Sequence, residues 1–176
     1  MQSNVLSRSG RSRVARALDA AAVLLVLYAV FAFFIAPKIT DHHAVAAPPL
    51  TLTMTDGRRI ALAGHRLRPI FLDFWASWCE PCKASIPLIQ GYARAHPRDD
   101  IVSVDVGEPP AVVHAFLAAN PMEEVALDSD QAVARAFGVV SFPTMVVINR
   151  DGNEQAKWVG FNPDVTRLMF AVDSQP

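Results

Sequence analysis

Cysteine is nearly absent: Cys79 and Cys82 are the only two in 176 residues. A single pair leaves nothing for a structural disulfide framework, so the core must hold by burial, for which residues 50–176 are enough. Histidine is scarce as well, with five residues and none after His114. A zinc site on the cysteine pair needs two more ligands, and His65, His96 and His114 offer no second pair at ligand spacing. The missing late histidine also weakens copper delivery. Covalent haem attachment wants a histidine directly after the second cysteine, where Lys83 stands. No metal site is expected. Basic surplus is lacking too, with 16 Lys and Arg against 17 Asp and Glu, so nucleic acid is not an expected partner. There is no internal repeat and no low-complexity region.

Charge is wholly missing from Ala20 to Ala36, a run of mostly Ala, Val, Leu, Phe and Ile. Arg8, Arg11, Arg13 and Arg16 precede it, with no acid before Asp19. The run is at the short end of a membrane span. The arginines put residues 1–17 in the cytoplasm, and residues 18–36 read as a single-pass anchor. A cleaved signal peptide is the alternative, since Ala44-Val-Ala46 is a small-x-small site. Both readings export the remainder of the chain, a linker over 37–49 and a domain over 50–176. His42 and His43 in the linker read as part of a solvated tether.

What the sequence does have is Ile70-Phe-Leu-Asp-Phe-Trp-Ala-Ser-Trp-Cys-Glu-Pro-Cys-Lys83. Ile70 to Trp75 reads as a strand buried on both faces and interrupted by one acid, Asp73. A helix then opens at the cysteines and runs to about His96. Pro81 sits in its first turn, where a missing N–H costs nothing, and Pro87 should kink it. Unpaired N–H groups and the helix dipole favour an anion at Cys79, which lowers its pKa and leaves a more reactive thiolate. A second cysteine three residues on can close a disulfide with it. The pair reads as a dithiol suited to exchange.

Ahead of this stretch, Leu50 to Met54 and Arg59 to Leu62 alternate around Asp56-Gly57, a hairpin signal. After it come a strand over Ile101 to Val106, a helix from about Pro110 to Ala119 and a short strand over Val125 to Leu127. Asp128 or Ser129 is expected to cap a helix through Phe137, ended by Gly138. Thr144 to Ile148 and Glu154 to Gly160 pair around Arg150-Asp-Gly152, and Asn162-Pro163 opens a last helix. This order gives an α/β fold, a central mixed sheet flanked by helices with an added N-terminal β-hairpin and a single transmembrane helix. The reactive turn then lies at a strand's carboxyl end.

Asp73-Phe-Trp-Ala-Ser-Trp-Cys-Glu-Pro-Cys-Lys83 resembles the active-site signature of the thioredoxin superfamily. Phe142-Pro143-Thr144 resembles its cis-proline loop, Gly160 its glycine after the last strand, and Pro87 its kinked active-site helix. With the hydrophobic segment, the Asp56-Gly57 hairpin and the turn from Asn149 to Gly152, the chain is similar to the exported, membrane-tethered TlpA/ResA/CcmG-like thiol–disulfide oxidoreductases. The likeness covers about Leu50 to Val172 and implies a thioredoxin-like fold. It departs from soluble thioredoxin in lacking a lysine on the strand beside Asp73. Some tethered relatives carry an acid in a later loop, for which Glu123 and Glu124 are the candidates here.

The resemblance implies an enzyme with no cofactor beyond a redox-active Cys79–Cys82 disulfide. Cys79, as the exposed thiol, attacks, and the deeper Cys82 resolves the mixed disulfide. Asp73 points toward Cys82 in the family's geometry and, buried with a raised pKa, accepts its proton. Its structural alternative is a buried acid satisfied by backbone donors. Glu80 and Pro81, between the cysteines, tune the couple: the charge of Glu80 opposes an adjacent thiolate, so the potential is expected nearer thioredoxin's than a strong oxidant's. Pro143 lies against Cys79, Phe142 pairs with an incoming peptide as an added strand, and Trp78 offers a docking surface, with Trp75 in the core.

The implied function is reduction of disulfides in exported proteins, with the haem-site cysteines of cytochromes c as one substrate class. A membrane thiol donor would recharge the enzyme, and the N-terminal helix would hold it to the cytoplasmic membrane facing the periplasm or exterior. An oxidase or isomerase of the same fold, or a non-catalytic peptide-binding or chaperone module using the Phe142-Pro143 groove, are the alternatives.

Overall fold

The computed structural model describes residues 18–19, 21–26, 28, 38–40, 45–64 and 67–174. They fall into two units, 1–36 and 37–176. In the first, residues 18–19, 21–26 and 28 are helical and expose Leu18, Val23, Leu24, Leu25, Val26 and Tyr28. Among the described residues no helix is long and apolar enough to cross a membrane. The rest of the expected anchor over 18–36 lies outside the described residues, as do the segment 1–17 and His42 and His43.

The second unit is built on β5 (Ile70–Trp75), whose six residues are all buried. It pairs in parallel with β6 (Asp100–Val106) and antiparallel with β8 (Thr144–Ile148). Such a strand has no solvent face, which is why it reads as an almost unbroken apolar run. Its alternate side chains divide the core. Ile70, Leu72 and Phe74 pack with Val133, Ala134 and Phe137, and Phe71 packs with Ile89, Tyr92, Val165 and Met169 on the other face. Trp75 joins Cys79, Cys82 and Val113 in a third cluster at the strand's carboxyl end.

Outward from β6 lie β7 (Val125–Asp128) and then the hairpin of β3 (Thr51–Met54) and β4 (Arg59–Ala61). Gly57 turns that hairpin with φ +86°, a conformation open to glycine. On the other side β8 pairs with β9 (Asn153–Val159). The stretch 37–49, expected as a tether, instead supplies β1 (Lys38–Thr40) and β2 (Val45–Ala46), both antiparallel to β9. Sequence alone did not show this, because two- and three-residue strands are too short for a period. Here the open edge of β9 supplies their partners.

Helix α1 (Glu80–Ala95) is capped by Cys79 and His96, the residues expected to begin and end it, with Pro87 inside. Helix α2 (Pro110–Ala119) has its expected bounds, and α4 (Val165–Asp173) follows an Asn162 turn in which Asn162 Oδ1 accepts from Asp164 N–H at 2.9 Å. Helix α3 (Ala132–Ala136) is shorter than expected. Its N-cap residue is Gln131, not Asp128 or Ser129, but Asp128 still serves the first turn: its two carboxylate oxygens accept from Val133 N–H at 3.0 Å and Ala134 N–H at 2.8 Å. Ser129 turns away and donates to the carbonyl of Glu108 at 2.8 Å.

Candidate active site

The reactive turn leaves the carboxyl end of β5 and enters α1 through residues 76–79, with Cys79 N–H donating to Ala76 C=O at 3.1 Å. Cys79 and Cys82 are joined in a disulfide, their Cα atoms 5.2 Å apart. Cys79 Sγ also accepts from Cys82 N–H at 3.2 Å, so the sulfur itself occupies the N-cap. Sulfur there meets the unpaired N–H groups and the positive end of the helix dipole, which favours the thiolate on reduction. Cys82 is fully enclosed and Cys79 keeps 5% of its surface. The expectation of an exposed Cys79 is thus corrected in degree: it reaches solvent through a narrow window.

That window opens on a surface groove of about 460 Å³ lined by Trp78, Cys79, Glu80, Pro81, Val140, Ser141 and Phe142. Trp78 is 66% exposed and meets Phe142 edge-on at 5.8 Å, whereas Trp75 is buried against Phe116. Val140, 91% exposed, is the wall residue the sequence did not signal. The Phe142–Pro143 bond is cis, and Pro143 C=O accepts from Gly160 N–H at 2.8 Å. Among the described residues the backbone N–H and C=O of Phe142 have no partner. Phe142 therefore belongs to the groove, while Pro143 is buried and lines a separate internal space. Glu80 is exposed and paired with Lys83 at 2.6 Å.

The internal space is a cavity of about 20 Å³ lined by Asp73, Ser85, Pro143, Met145 and Trp158 among others. It has room for one water molecule. Asp73 is 1% exposed, its Oδ2 has no donor, and burial alone pushes its carboxyl up to about 7. Among the described residues no cation offsets that burial; its neighbours in register are Ser103 and Met145. Across the cavity Ser85 Oγ–H donates to Cys82 C=O at 2.8 Å. Asp73 thus faces the turn of α1 that carries Cys82, with a proton affinity suited to accepting a thiol proton near neutrality.

Two residues not expected at the site lie directly behind it. Glu108, in the loop after β6, accepts from both the N–H and the Oγ–H of Ser77, two residues before Cys79. Burial pushes the Glu108 carboxyl up, but the two Ser77 donors and a hydrogen bond with Asp105 together outweigh it and hold it below its usual range. Asp105 is completely buried beside Trp75 in the sheet and is pushed up to about 8, first by burial and then by Glu108. Asp105 interrupts β6 as Asp73 interrupts β5, a signal that sequence reading passed over. The later-loop candidates take other roles: Glu124 pairs with Arg58 at 2.8 Å, and Glu123 lines a cleft with Arg94 and Asp99.

A thioredoxin-like family model matches residues 67–154. The thiol-disulfide oxidoreductase ResA of Bacillus subtilis is 34% identical over 138 residues, covering 74% of this chain and 77% of its own. The sporulation thiol-disulfide oxidoreductase A of the same organism is 28% identical over 145 residues, 78% of this chain and 87% of its own. Among solved structures, a putative thiol:disulfide interchange protein DsbE from Chlorobium tepidum aligns with a TM-score of 0.65 at 28% identity. It covers 75% of this chain and 95% of that one. Bacillus subtilis StoA aligns with a TM-score of 0.60 at 26% identity, over 70% and 98%. With a disulfide capping a helix at the end of a buried strand, and a cis-proline loop beside it, the chain belongs to the thioredoxin-like thiol–disulfide oxidoreductases, whose redox group is the cysteine pair itself.

Proposed function

We propose that this oxidoreductase works in the reducing direction on disulfides of exported proteins, held by residues 18–36 to the cytoplasmic membrane with its domain outside. The haem-site cysteines of cytochromes c are the substrate class, and a membrane thiol donor restores the dithiol. The observation that carries the reading is the window on Cys79, which opens between aromatic walls and beside the acid Glu80. A peptide lying along Trp78, Val140 and Phe142 can pair with the unpartnered Phe142 backbone as an added strand. Its disulfide then meets Cys79 Sγ. Attack forms a mixed disulfide, and Cys82 displaces it, releasing the substrate as a dithiol and restoring the Cys79–Cys82 bond.

Direction follows from how much the site stabilises a Cys79 thiolate. The helix N-terminus favours it; Glu80 opposes it and also occupies the Lys83 ammonium that would otherwise help. Redox titration against dithiothreitol or glutathione tests this. The expected potential lies nearer about −270 mV than about −120 mV, the thioredoxin and strong-oxidant values. Glu80→Gln is expected to make the protein more oxidising, since it removes the opposing charge and frees Lys83. A wild-type potential near the oxidant value overturns the reductase reading in favour of an oxidase. A Cys82→Ser variant, which cannot resolve, identifies the substrate as the protein left linked to Cys79.

A further inference from the structure

Behind the reactive turn lie two carboxyl groups that the exchange steps do not use. Asp105, the last residue but one of β6, pairs in register with Trp75; its side chain is wholly buried, and neither oxygen takes a donor from any residue but Glu108. Its neighbour is the carboxyl of Glu108, three residues on and also buried. Glu108 is fixed from two directions. Its carbonyl accepts from Ser129 Oγ–H, and its carboxylate takes both donors of Ser77, the N–H and the Oγ–H at 2.7 Å. Ser77 begins the turn that presents Trp78 and Cys79.

The charge that acts on this pair from outside it is negative. Asp128, on β7, is the third carboxylate near Asp105, and its oxygens are occupied by Val133 and Ala134 N–H. The charged side chains of the flanking helices, His114 on α2, Arg135 on α3 and Glu80, Lys83 and Arg94 on α1, are exposed to water. Two adjacent buried carboxyls without a cation cannot both ionise. The donors decide which one does. Glu108 takes both Ser77 donors and is the carboxylate; Asp105 has no donor from any residue but Glu108 and keeps the proton, which it can donate toward Glu108.

We propose that Asp105 and Glu108 are positioning residues for thiol–disulfide exchange: they share one proton, the Glu108 carboxylate pins the Ser77–Cys79 turn, and loss of the proton slows attack by Cys79. When Asp105 gives its proton to solvent, the two carboxylates repel. The hold on Ser77 weakens, and a new negative charge behind the turn opposes the thiolate of Cys79. This holds whichever direction the enzyme runs, so it stands apart from the reductase reading.

The test is the pH profile of iodoacetamide alkylation of Cys79 in the reduced full-length protein. Wild type should rise with Cys79 ionisation and then fall above about pH 8, by up to about tenfold, the size of a one-unit interaction. Asp105→Asn keeps a neutral donor to Glu108 and should keep the neutral-pH rate, but its profile should reach a plateau with no fall. Glu108→Gln should be slower at every pH, because it presents no anion to Ser77. An infrared difference spectrum of wild type minus Asp105→Asn at neutral pH should contain one protonated-carboxyl band, a readout that does not depend on Glu108→Gln folding. Identical alkaline limbs in wild type and Asp105→Asn, or a difference spectrum without that band, overturn the proposal.

Discussion

Asp73 carries a cost that changes with pH. Its carboxyl is raised to about 7 by burial, against an ordinary value near 4. Between those values the folded protein holds a proton that the unfolded chain has released. Its contribution to stability is therefore complete below pH 4 and is lost as pH rises through 7. The loss from this one group is on the order of 4 kcal/mol at most, about 1.4 kcal/mol per unit over three units. Asp73→Asn should remove it, and urea denaturation of the oxidised protein at pH 5 and pH 8 measures the change. A residual slope of the same sign should remain, since Asp105 is raised by burial too. The same substitution should leave the first attack by Cys79 almost intact and slow release of the mixed disulfide from Cys82. Rapid-mixing rates for the two steps separate these roles; equal rates in both proteins would assign Asp73 to structure alone.

At the scale of elements, the turn between β8 and β9 leaves no room for a side chain at its glycine. Gly152 has φ +79°, and a Cβ there would lie 2.8 Å from Gly64 O and 2.9 Å from Gly64 N. Its carbonyl also accepts from Ala47 N–H at 2.8 Å, where the chain leaves β2. Gly152→Ala must strain the backbone and push two backbone segments apart, a loss of about 2 kcal/mol or more. Gly57 has a similar φ of +86° in the β3–β4 turn but open space around it. Gly57→Ala should cost only about 1–2 kcal/mol, the conformational part. Urea midpoints of the two variants give the comparison, and equal losses would remove the steric argument for Gly152.

At the scale of the whole molecule, the N-terminal run and the sheet edge are two separate expectations. The full-length protein should fractionate with membranes in its native host, because Ala20 to Ala36 are uncharged and follow four arginines. A mature form starting near Ala47 in the soluble exported fraction would show the segment to be a cleaved signal. Such cleavage would also strip β1 and β2 from β9 and leave its edge open. A domain beginning at residue 47 is thus expected to be less stable, or more prone to self-association, than one beginning at 37.

Local chemistry was readable from the chain because it sits in contiguous residues. A six-residue run that is apolar but for Asp73, aromatic-rich and followed by a turn reads as a strand with no wet face, and Cys-Glu-Pro-Cys after that turn places a sulfur at a helix N-cap. Cys79 and Cys82 were legible on those grounds, and Trp78, Phe142 and Pro143 through the signature and cis-proline motifs. What the tertiary structure decided were meetings between distant segments. Glu108 reaches Ser77 only because β6 lies parallel to β5 in one register, and Val140 walls the groove only because the loop before β8 folds back beside α1. The strands within 37–49 exist because β9 had an unpaired edge. Backbone pairing and carboxyl–carboxyl proximity depend on which segments become neighbours, and no local period or spacing along the chain encodes that.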